Sequence, residues 1–194
     1  MQNPGLLITA VLAATLGINS TAYAESSYQF KINGISGSLH DNVAIYLQKY
    51  SDADNMPGVR FQATVEQEVH TALQALGYYD SQVTVTHNAD KPRLLQVNVK
   101  TGEPVRIAKS DIQLSGDATT DADFKALLAA QGPKQDQILH HGAYDGFKNA
   151  LKSLAMRKGY FDARFSIQRL EVAPSRREAF VRLHFDSGIR YRFG

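Results

Sequence analysis

The sequence predicts an α+β chain made of two tandem copies of one β-α-α-β-β unit, and three observations predict it. A short motif occurs twice, as Gly77-Tyr78-Tyr79-Asp80 and as Gly159-Tyr160-Phe161-Asp162, each after an apolar helical stretch (Ala72-Leu73 and Ala150-Leu151). Around each copy, apolar residues at helical spacing and apolar residues in strict alternation follow one another in the same order. The chain has no cysteine, so no disulfide framework holds it and the fold must rest on its apolar cores.

In the first unit, Tyr28, Phe30 and Ile32 alternate with polar residues, as a half-buried strand requires. Ser38-Leu39-His40-Asp41 offers a capping box, with Asp41 in place of the usual Glu or Gln, for a helix carrying Leu39, Val43, Tyr46, Leu47 and Tyr50. Asn55-Met56-Pro57-Gly58 breaks that helix. A second helix places Phe61, Val65, Val69, Ala72, Leu73 and Leu76 on one face and stops at Gly77, where glycine takes the left-handed conformation without steric cost. Val83 and Val85, then Leu95, Val97 and Val99, alternate on either side of the turn-rich stretch Asn88 to Pro92 and read as a hairpin.

The second unit repeats the order. Ile107, Ile112 and Leu114 supply a strand whose parity demands a bulge between the first two. Thr120 and Asp123 are the expected caps of a helix bearing Phe124, Leu127 and Leu128, which ends at Gly132-Pro133. Tyr144, Phe147, Leu151 and Leu154 mark a longer helix that stops at Gly159. Phe161, Ala163, Phe165 and Ile167 alternate on one strand, and Val181, Leu183 and Phe185 on its partner across the turn Pro174 to Arg177. The stretch Gly102-Glu103-Pro104-Val105-Arg106 has a counterpart in Gly188-Ile189-Arg190-Tyr191-Arg192, as though a third unit were opening. The expected organisation is a leader over 1–24, units over 25–102 and 103–188, and the start of a truncated third over 189–194.

That leader is an export signal. Leu6 to Leu16 is apolar but too short to span a bilayer, and Ala22-Tyr23-Ala24 has the small-x-small form of a cleavage site, although no Lys or Arg precedes the apolar run. The remaining composition is globular, with 43% apolar and 21% charged residues. A formal charge of +2, from 21 basic and 19 acidic residues, gives no footprint for nucleic acid.

The stretches Ala72 to Asp80, Tyr144 to Leu151, Met156 to Asp162 and Ser187 to Gly194 resemble POTRA domains, the polypeptide-transport-associated modules of the outer-membrane Omp85 family. The resemblance implies a three-stranded mixed sheet covered by two helices in each unit. It implies a periplasmic docking and scaffold arm, working without catalysis or cofactor beside the outer membrane. It implies two kinds of partner, an inner-membrane-anchored translocation subunit and client outer-membrane or autotransporter proteins, and a β-barrel that this sequence does not include.

Chemical motifs are weak by comparison. His140-His141 is the one adjacent histidine pair, and sequence neighbours do not share a helix face, so no metal site is expected. Asp52, Asp54 and Asn55 lack the glycine and terminal glutamate of a calcium loop. Gly34-Ile35-Ser36-Gly37-Ser38 misses the nucleophile-elbow spacing, and Glu66 and Glu68 face different directions on a helix. Lys148, Lys152, Arg157 and Lys158 gather toward one helix end, where they favour the dipole, or alternatively dock an acidic partner or headgroups.

The better candidate is backbone. If the POTRA strand order holds, the strand after the second helix of each unit is a sheet edge, able to accept an added strand with little sequence demand. The candidate partner-binding residues are Ser81, Val83, Thr84 and Val85, with Ala163, Arg164, Phe165 and Ser166. Gly77, Tyr78, Tyr79, Asp80, Gly159, Tyr160, Phe161 and Asp162 are expected to be structural: the glycines stop helices, the aromatics anchor helix to sheet, and the aspartates bond backbone at the turn. Two other readings stay open, the POTRA region of a two-partner secretion barrel and a periplasmic enzyme with an unrecognised site.

Overall fold

The computed structural model describes residues 27–51, 58–88, 90–91 and 93–191. The leader over 1–24, Asp52, Asp54, Asn55, Pro92 and the last three residues lie outside the described residues. Among the described residues, six strands and four α-helices follow in order: β1 (Gln29–Asn33), α1 (Gly37–Gln48), α2 (Gly58–Ala75), β2 (Ser81–His87), β3 (Leu94–Thr101), β4 (Arg106–Ser115), α3 (Ala122–Gln131), α4 (His141–Lys158), β5 (Arg164–Ala173) and β6 (Glu178–Asp186). They form two three-stranded sheets, ordered β1-β3-β2 and β4-β6-β5. In each sheet the first strand runs parallel to the centre and the hairpin strand antiparallel to it, which is the mixed α+β unit stated twice.

The cores follow the alternation read from the sequence. Val83, Val85, Leu95, Val97 and Val99 line the inner face of the first sheet beneath Val43 and Leu47 of α1 and Phe61, Val65, Val69, Ala72 and Leu73 of α2. The second core joins Phe124 of α3 and Tyr144, Phe147, Leu151 and Leu154 of α4 to Val181, Leu183 and Phe185 of β6. Burying a large aliphatic or aromatic side chain contributes about 1.5–3 kcal/mol, so each helix is fixed chiefly by this face.

Three local details differ from the sequence reading. α1 begins after Ser36, whose side chain makes no capping bond, so Ser38 and Asp41 lie within the helix rather than forming a box at its start. α3 is capped by Asp121, whose carboxylate accepts from the Asp123 amide; the Thr120 hydroxyl instead donates to the Asp117 carbonyl, and Asp123 pairs with Lys158. The bulge in β4 falls between Ile107 and Lys109, but β5 has a second between Phe165 and Ile167. That extra residue turns the strand over. Ile167 sits opposite His184 on the outer face, while Leu170 and Val172 continue the inner face opposite Val181 and Ala179. Phe161 and Ala163 precede β5 altogether.

Candidate partner-binding edges and the joint between units

β2 and β5 are edge strands, and no further described strand pairs with either. On β2, Val83 and Val85 face the core, whereas Gln82, Thr84 and Thr86 are exposed. β5 is ten residues long; Arg164, Ser166, Gln168, Arg169 and Glu171 are exposed along it. Of the candidate residues, Ser81, Val83, Thr84, Val85, Arg164, Phe165 and Ser166 lie on these edges, and Ala163 lies just before β5. Ser166 occupies the bulge and donates to the His184 carbonyl, 3.2 Å away.

The opposite edge of the second sheet is covered. The Ile107 amide donates to the Gln137 carbonyl and the Asp136 amide to the Ile107 carbonyl, both at 2.9 Å, and the Ser110 hydroxyl donates to the Pro133 carbonyl at 2.7 Å. The connection from α3 to α4 therefore occupies the first half of β4, where a strand would otherwise add.

The repeated glycine–aromatic–aspartate motif shows a division of labour. After Gly77 and Gly159, both with positive φ, the amides of Tyr78 and Tyr160 reach back to the carbonyls of Leu73 and Ala155. Tyr160 is buried in the second core and Tyr78 packs against the first. These first aromatics anchor helix to sheet. The second aromatics do not. Tyr79 turns toward the other unit, its hydroxyl 2.6 Å from Nε2 of His141, while Phe161 stays half exposed with its ring 5.8 Å from that of Tyr191. Asp80 accepts through its backbone carbonyl from the Gly102 amide, whereas the Asp162 carboxylate accepts from the Tyr191 hydroxyl at 2.7 Å.

Tyr79 belongs to a small third core that joins the units. Val105 of the linker, Leu139 before α4 and Ala179 of β6 are buried together, with Tyr79, Leu170 and Val172 packed on them. Backbone bonds complete it: the Val105 amide donates to the Gly77 carbonyl at 2.8 Å, and the Leu139 amide to the Val105 carbonyl at 2.9 Å. Burial pushes the Tyr79 phenol up, so it stays protonated. Burial pushes His141 down; Asp145 opposes that shift and His140 adds to it. The sequence reading missed this joint. Its one signal was an apolar Val105 in an otherwise polar linker, facing the apolar pair Ile138-Leu139 just ahead of two histidines.

The basic cluster is largely spoken for. Lys148 pairs with Asp145 at 2.8 Å, Lys158 clamps Asp121 at 2.7 Å, and Lys152 lies over the Phe165 ring. The hydrogen bond from Lys158 holds the Asp121 carboxyl below the usual carboxylate range. Among the described residues, no group of three or more His, Asp or Glu side chains could hold a metal ion, and no helix is long and apolar enough to cross a membrane.

Residues 29–101 match the family model described as POTRA domain, TamA domain 1. A crystal structure of BamA POTRA3-5 from Haemophilus influenzae is similar at 16% identity and a TM-score of 0.45, over 85% of this chain and 67% of that one. The N-terminal domain of Omp85 from the cyanobacterium Thermosynechococcus elongatus is similar at 14% identity and a TM-score of 0.39, over 82% of this chain and 61% of that one. CdiB from Escherichia coli is similar at 13% identity and a TM-score of 0.31, over 88% of this chain and 29% of its own length. The first unit is thus similar to a POTRA domain over residues 29–101, and the second is built to the same mixed-sheet plan.

Proposed function

We propose that the chain is the periplasmic docking arm of a TamA-like assembly factor for outer-membrane and autotransporter proteins, and that it acts by lending its sheet edges rather than by catalysis. The observation that carries this reading is that β2 and β5 lie at sheet edges with no further described strand paired to them, in a chain whose first unit matches the TamA domain 1 model. An edge offers backbone N–H and C=O groups that any extended segment can satisfy, and alternating pockets then add modest selectivity. A factor that receives many different unfolded barrel strands needs this tolerance. Domain limits at 102/103 and 188/189 belong to the same reading, with Phe161, Ile189 and Tyr191, all exposed, as the surface against which a following unit packs. A TamB-like inner-membrane-anchored subunit is the second partner.

The test is proline substitution on the edges. Thr84→Pro and Arg164→Pro each remove an amide and restrict the backbone. With the circular dichroism spectrum retained, either variant is expected to weaken binding of a peptide copied from a client barrel strand by tenfold or more, about 1.4 kcal/mol. Unchanged affinity in both, measured by calorimetry, would exclude strand addition at these edges.

A further inference from the structure

We propose that the joint between the two units is an acid-sensitive coupling, held in one orientation by the neutral imidazole of His141 and loosened when it takes up a proton. Both histidines sit where α4 begins, and His141 uses a ring nitrogen as part of the joint. Nδ1 of His140 accepts from the Ala143 amide at 3.1 Å and so caps α4. Nε2 of His141 lies 2.6 Å from the Tyr79 hydroxyl of the first unit, a bond that crosses between the two domains. While Nε2 carries no proton, it can accept from the Tyr79 hydroxyl. A protonated His141 can no longer accept from that hydroxyl, so the bond that joins the two units would have to reverse.

The surroundings give little to compensate an imidazolium. The positive end of the α4 dipole lies at this position. Asp145, one turn along α4, is the carboxylate that favours the charged form, and it is already paired with Lys148. On the linker and β4 side, Glu103 is paired with Arg177, and Arg106 donates to the Asp136 carbonyl. The rest of the joint is Val105, Leu139, Ala179, Leu170 and Val172, all apolar. His141 in the folded chain therefore binds its proton below the ordinary histidine value of about 6.5. The sign follows: the joint's stability is complete above that value and falls as pH drops through the folded-state value, because the loosened state takes up the proton more readily. The coupling holds at neutral pH and weakens as pH falls below the ordinary histidine value of about 6.5.

The chain has no cysteine, so Gln67→Cys on α2 and Ser153→Cys on α4, both exposed, allow a single pair of spin labels in the full-length chain. The proposal expects one narrow distance distribution at about pH 7.5 and one at least about twice as wide at about pH 5. The widening should track the His141 ring titration followed by nitrogen NMR. Tyr79→Phe should give the wide distribution already at neutral pH. A distribution that stays narrow while His141 titrates, or a His141 still neutral at about pH 5, overturns the proposal. So does equal widening in a His140→Gln, His141→Gln double variant, which has no ring to protonate.

Discussion

Gly77 and Gly159 hold equivalent places in the two units, yet their surroundings differ in a way that a substitution would expose. Both have positive φ, near 89° and 85°, so any side chain there is strained. A Cβ on Gly77 would lie 2.5 Å from the Leu139 carbonyl oxygen, in the middle of the joint; on Gly159 it would meet the Tyr191 carbonyl at 2.7 Å, in the segment after β6. Gly77→Ala should therefore cost about 2–3 kcal/mol in urea denaturation and Gly159→Ala about 1 kcal/mol, since the Tyr191 segment has fewer partners to disturb. Equal losses would mean that the joint contributes nothing beyond the helix stop. Asp121 adds a pH dependence at this scale. Its carboxyl is held down by Lys158, so the stability it lends the start of α3 is present above the ordinary aspartate value of about 3.9 and is lost as pH falls through its lower folded-state value. Amide exchange in the first turn of α3 should quicken in that acidic window, and a flat profile would contradict the assignment. The glycine stops were legible in the sequence because only glycine takes those angles freely. The role of Tyr79 was not: an aromatic beside a helix stop gives no sign of whether its own sheet or the next unit will receive it.

α3 is the least anchored helix of the second unit. Phe124 is its one fully buried side chain, edge-on to Tyr160 and stacked on Phe185 at ring distances of 5.6 and 6.3 Å. Phe124→Ala should cost about 3–5 kcal/mol and release α3 selectively, seen as amide exchange that rises across Ala122–Gln131 more than across α4. Uniform loss of protection would show that α3 and the rest of the unit open together. Strands and helices were readable from apolar periodicity, and the β4 bulge announced itself because Ile107 and Ile112 disagree in parity. The β5 bulge was hidden for the converse reason. Phe165 and Ile167 agree in parity, so the sequence looked regular, and only the pairing with β6 reveals that Ser166 is the extra residue and that Ile167 faces outward. Caps were misplaced by one or two residues where several Ser, Thr and Asp residues stand together, each able to accept the same amide.

At the scale of the whole molecule, the repeat gave the architecture and the joint gives it a defined geometry. Two small units with modest separate cores share a third one through Val105, Leu139 and Ala179, so their edges β2 and β5 are carried as a pair rather than independently. The edges themselves could be placed from the resemblance, but what distinguishes them from β4 could not. The loop that covers β4 follows α3 with no alternation or motif to mark it, and its pairing with Ile107 is a tertiary contact. The central claim is that extended client segments bind by adding to β2 and β5. The most direct measurement is residue-resolved amide exchange of the chain with and without a peptide copied from a barrel strand. Slowed exchange concentrated in Ser81–His87 and Arg164–Ala173, with β4 unchanged, is the result this account predicts. Protection confined to the outer faces of α2 or α4, with both edges exchanging as before, would contradict it.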